Sequence, residues 1–130
     1  MGKLTQVIFI CSPYKPEADD PSEAAKEVQN NIKMARLSAE MVTLTDDVPL
    51  APVLYFNQFL RGESNAEKWL KFALHWLDWS DELWVVGHRI DADMVSCINR
   101  AKELDIPIKC VQNPETTLKQ LMDEVLQEKR

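Results

Sequence analysis

No apolar stretch in this sequence approaches the length of a membrane span; the run near its start, Val7 to Cys11, is too brief even for a secretory signal. A basic excess is also missing. Fifteen Lys and Arg stand against 21 Asp and Glu, a formal net charge of −6. Broad binding to nucleic acid polymers is therefore not expected, because a surface that tracks phosphates needs the opposite balance. A single nucleotide stays possible, since backbone amides can hold one phosphate. The three cysteines are an odd number without CxxC spacing, which suggests neither a disulfide framework nor a zinc site. No repeat, low-complexity tract or linker divides the chain. These absences leave one domain over residues 1–130, with the cytoplasm as the expected location and no membrane partner. No metal or cofactor is called for.

What is present is ordinary for a globular protein: 45% hydrophobic and 28% charged residues. Leu4 to Cys11, rich in Val, Ile and Phe, has the pattern of a strand buried on both faces. Asp20-Pro21-Ser22-Glu23 reads as a helix start, with a cap followed by Pro at the first helical position. That helix is expected to reach about Met41, with Ala24, Val28, Ile32, Ala35 and Ala39 near one face. Val48 to Ala51 suggests a short second strand whose Pro49 belongs at an edge or a strand start. Val53 to Leu60 is an apolar loop or short helix. Ser64-Asn65-Ala66-Glu67 reads as a capping box opening a helix to about Trp79. A third strand over Leu83 to Gly87, a helix from about Asp91 to Leu104, a strand over Ile106 to Val111 and a last helix from Asn113-Pro114-Glu115 complete the chain.

Strands alternating with helices predict an α/β fold around a parallel sheet of four to five strands, in the order 2-1-3-4. The carboxyl ends of strands one and three are then neighbours at the topological switch point, where open α/β sheets bind ligands. This places Ser12-Pro13-Tyr14 near the stretch from Gly87 to Asp93, which has two carboxylates at its turn.

Three blocks carry a resemblance: V-I-F-I-C-S-P-Y near the start, A-P-V-L-Y-F-N-Q-F-L in the middle, and D-E-L-W-V-V-G followed by D-M-V-S-C-I-N-R-A. Over roughly residues 5 to 112 the chain resembles a family of small bacterial and phage proteins, often described only as a domain of unknown function. That family is related to nucleoside 2-deoxyribosyltransferases. The resemblance implies a three-layer flavodoxin-like or Rossmann-like fold, frequent dimers, and a nucleoside or nucleotide as the small-molecule partner. The enzymatic relatives cleave the N-glycosidic bond with a glutamate nucleophile, four residues before an alanine. Counting back from Ala101 puts that position on Cys97. The relatives' glycine falls on Asp93 and their upstream acidic or serine position on Asp91. Val53 stands where a histidine usually follows the Ala-Pro pair, and Arg61 or Gly62 where an acid follows the Q-F-L element.

A neutral thiol at Cys97 cannot replace the carboxylate that stabilises an oxocarbenium-like state and then forms the glycosyl ester. The parent reaction is accordingly expected to be weak or lost, unless Asp93, one turn earlier, or Asp91 supplies the carboxylate. Asp91 can equally be a helix cap, and Asp93 gains from the macrodipole in the first turn. Ser12, Tyr14, Tyr55, Asn57, Gly87, His88 and Met94 are the expected ligand contacts, with aromatic packing an equal role for Tyr55. Cys11 and Cys110 read as strand core. Trp69, Phe72, Trp76 and Trp79 form an aromatic stripe on the helix over residues 65–79. That helix is expected to pack against the sheet or to form a homodimer interface.

Overall fold

The computed structural model describes residues 4–60 and 62–128. Four strands, β1 (Val7–Cys11), β2 (Val48–Leu50), β3 (Glu82–Val86) and β4 (Ile108–Val111), form one all-parallel sheet in the order β2-β1-β3-β4. Helices α1 (Pro21–Leu44), α2 (Pro52–Tyr55), α3 (Ala66–Leu77), α4 (Ala92–Glu103) and α5 (Pro114–Glu128) surround it. The architecture is the expected α/β one, and it is flavodoxin-like.

Alternation along the strands divides the core into two layers. Ile8 and Ile10 of β1 and Trp84 and Val86 of β3 pack with Met41, Val42 and Leu118 on the α1–α5 face. Phe9, Cys11, Leu83 and Val85 pack with Ala73, Leu77, Met94, Cys97 and Ala101 on the α3–α4 face.

Differences from the sequence reading have local causes. β1 begins at Val7, not Leu4, which is 87% exposed. Its neighbour β2 is three residues long and offers residues 4 and 5 no partner. The Gln6 and Val7 amides donate instead to the Asp47 and Asp81 carboxylates, at 2.9 and 2.7 Å. β4 begins after Pro107, which lacks an N–H; its carbonyl still accepts from Leu83 at 2.9 Å. Cys110, expected in the core, is exposed on this edge strand.

The buried face of α1 is rotated from the apolar stripe: Asn31, Ala35, Ser38, Met41 and Val42 are the buried positions. Ser38 satisfies its hydroxyl on the Met34 carbonyl at 2.9 Å, and Asn31 donates to the Tyr14 carbonyl at 3.1 Å. Two polar residues thus sit inside with partners and hide the stripe from a count of apolar residues. Asp20 caps α1, accepting from Glu23 at 3.0 Å. The capping box expected before α3 does not form. A 3-10 turn spans Glu63–Asn65, the cap position falls to Asn65, and no side-chain cap bond is made there. The backbone at Asn65, φ −101° and ψ 1°, is outside the extended region a capping residue adopts.

Candidate functional site

The loops following β1 and β3 meet at the switch point, and they are tied to each other. Gly87 ends β3 at φ +94°, a left-handed conformation that glycine adopts without strain. Two residues on, Arg89 donates to the Lys15 carbonyl at 2.7 Å and pairs with Glu17 at 2.9 Å. From α1, the Glu27 carboxylate accepts from the Glu17 and Ala18 amides at 2.9 and 3.2 Å. Those amides, and beyond them the Arg89 guanidinium, hold the Glu27 carboxyl below its usual range. Together with Asn31 on the Tyr14 carbonyl, these bonds fix the whole Tyr14 to Ala18 segment.

Beside this segment lies a cleft of about 960 Å³, lined by Ser12, Tyr14, Asn57, Trp69, Asp91 and Asp93 among others. The Tyr14 ring stacks on Trp69, with centroids 5.0 Å apart and planes 28° from parallel, and its phenol donates to the Asn57 side-chain carbonyl. One wall of the cleft is therefore aromatic and held in place at both ends of Tyr14. Asp91 caps α4, accepting from Met94 at 2.9 Å, and lines the cleft as well. Asp93 has its carboxyl pushed up by burial and by the neighbouring Asp91 charge, partly offset by Lys15. The Ser12 hydroxyl is buried and has no hydrogen-bond partner among the described residues.

The structure thus gathers five of the sequence-selected residues, Ser12, Tyr14, Asn57, Asp91 and Asp93, around one cleft. The others sit elsewhere. Cys97 is 5% exposed and lines a void of about 30 Å³ that shares Ser12, Val53, Trp69 and Asp93 with the cleft wall. The Cys11 thiol donates to the Met94 carbonyl at 3.8 Å, and the neighbouring Cys97 thiol, together with burial, pushes the Cys11 thiol up. Met94 is buried in the same layer. Tyr55 stacks on Trp76 at 5.4 Å and lines a separate groove beside β2. His88 is exposed, and neither it nor Gly87 lines the cleft. Val53 is a buried cleft-wall residue. Gly62 also lines the cleft, at φ +82°; Arg61 lies outside the described residues.

Sequence reasoning missed Trp69 and Lys15 as cleft residues and Arg89 as the tie between the loops. Trp69 was readable only as part of the aromatic stripe. Its separation from the rest follows from α3 burying Ala73 and Leu77, which turns the first turn of the helix towards the switch point.

Among the described residues, no group of His, Cys, Asp and Glu is arranged to hold a metal ion, and no helix is long and apolar enough to cross a membrane. Residues 6–111 match the family model described as Domain of unknown function (DUF7768), a span that runs from the start of β1 to the end of β4. No curated protein and no solved structure matches the chain.

Proposed function

The chain belongs to the DUF7768 family, and we propose that it binds a nucleoside or nucleotide in the switch-point cleft, with N-glycosidic activity absent or weak. The observation that carries this reading is the cleft itself, with a stacked aromatic wall, two carboxylates and a partnerless buried hydroxyl in one place. A planar base suits the Tyr14–Trp69 wall, and sugar hydroxyls suit Asp91, Asp93 and Ser12. The similarity of three sequence blocks to deoxyribosyltransferase relatives supports the same ligand class. Cys97, at the position of their nucleophile, is turned to the core beside a second thiol and lacks the charge the reaction needs. The protein works in the cytoplasm under this reading.

Thermal-shift and calorimetric titration against deoxynucleosides, ribonucleosides and their phosphates tests binding. Base release from the same panel tests catalysis. Binding without release is expected. Release that disappears in Asp91→Asn or Asp93→Asn assigns the carboxylate to one of them and makes the protein an active transferase or hydrolase.

A second reading concerns assembly: the chain forms a homodimer through α3 and the segment before it. Its support is a cluster of exposed aromatics around Phe56, with Phe59 at 52%, Tyr55 at 50% and Phe72 at 39% exposure. Sedimentation of the wild type and of Phe59→Ser/Phe72→Ser measures this; a dimer that the double variant dissociates supports it, and a monomeric wild type overturns it.

A further inference from the structure

We infer that the cleft selects nucleosides whose base carries a permanent positive charge, such as a pyridinium riboside or an N7-alkylated purine nucleoside, without a 5′-phosphate. This rests on the nucleoside reading above and narrows it.

Charge is the first argument. Asp91 and Asp93 both line the cleft, and Lys15 is the only lining cation among the described residues. Arg89, which holds the Lys15 carbonyl, is already engaged by Glu17 and Glu27. Among the described lining residues carboxylates thus outnumber cations by one, an imbalance that a cationic ligand offsets and a phosphate makes worse. Burial and the Asp91 charge already make the ionised form of Asp93 costly, and a cation between the two relieves that cost.

The second observation is independent of the acids. Ser12 is 8% exposed, lines the same cleft, and its hydroxyl has no partner among the described residues. A buried hydroxyl left without a partner points to a polar ligand group that completes it. The third is the Tyr14–Trp69 pair, whose ring faces attract a cation. In a pyridinium or N7-alkylpurine nucleoside the charge lies in the planar ring, at or next to the glycosidic nitrogen. One ligand then offers a flat cation to the rings and carboxylates, and hydroxyls to Ser12.

Calorimetric titration of the full chain, slightly below neutral pH where both cations keep their charge, tests this with two matched pairs. These are nicotinamide riboside against its neutral dihydro form, and N7-methylguanosine against guanosine. The cationic member is expected to bind about tenfold more tightly in at least one pair, and its 5′-phosphate more weakly than the nucleoside. In Asp91→Asn/Asp93→Asn, which keeps a capping side chain on α4, the two members should converge. Equal or tighter binding of the neutral member in both pairs overturns the inference and leaves the nucleoside reading standing. Failure of all four compounds to bind overturns both.

Discussion

Tyr14 lies against Trp69 at 5.0 Å, joining the loop after the first strand to the first turn of α3, and Tyr14 also reaches Asn57 on the segment between them. Three separate segments of the chain thus share one cleft wall. Trp69→Ala removes the stack and an edge contact with Phe56, and is expected to cost about 2–3 kcal/mol of stability. Ligand affinity should fall by roughly tenfold in the same variant. Tyr14→Phe keeps the stack and loses only the hydrogen bond, about 1 kcal/mol. Denaturant unfolding and titration of both variants measure the difference.

Arg89→Met releases the Lys15 carbonyl and the Glu17 pair. Exposed ion pairs add little to stability, so unfolding should change by under about 1 kcal/mol. Ligand affinity should nevertheless fall several-fold, because the cleft-lining Lys15 loses its anchor. An affinity unchanged in titration would mean that the tie between the loops has no bearing on the cleft.

Asp93→Asn should raise the melting temperature at neutral pH. The folded protein holds the Asp93 proton more tightly than the unfolded chain, so the ionised group weakens the fold. Its cost is absent below the ordinary carboxylate pKa and appears as pH rises through the raised folded value. Melting curves of wild type and variant should therefore converge in acid and separate towards neutrality. The same variant should lose affinity for a cationic ligand, so stability and binding move in opposite directions.

Asp105→Gly should stabilise the protein. Asp105 follows α4 at φ 57°, and Ile106 and Asp105 donate back to the Ala101 and Lys102 carbonyls at 2.8 and 3.2 Å. Glycine adopts this conformation without the side-chain clash, a gain of up to about 1 kcal/mol. Unfolding in urea reads it directly.

Much of this architecture was legible in the sequence. Apolar runs ending before Pro13 and at Gly87 marked the buried strands β1 and β3, and the Asp20 and Asp91 caps marked two helix starts. The strand order then placed Ser12, Tyr14, Asp91 and Asp93 together. What escaped depended on tertiary partners. Asn31 and Ser38 are buried on α1 only because a carbonyl waits for each. Cys110 was misplaced because apolar strand composition does not reveal that a strand lies at an edge. Trp69 could not be separated from its helical stripe until Ala73 and Leu77 fixed which face of α3 is inward.

A crystal structure of the chain soaked with a tightly binding nucleoside tests the account most directly. The base is expected on the Tyr14–Trp69 wall, with the sugar hydroxyls within hydrogen-bond reach of Asp91, Asp93 or Ser12 and the Cys97 thiol still turned to Cys11. Ligand density in the groove beside Tyr55, or on the aromatic surface around Phe59, with the switch-point cleft unfilled, would contradict it.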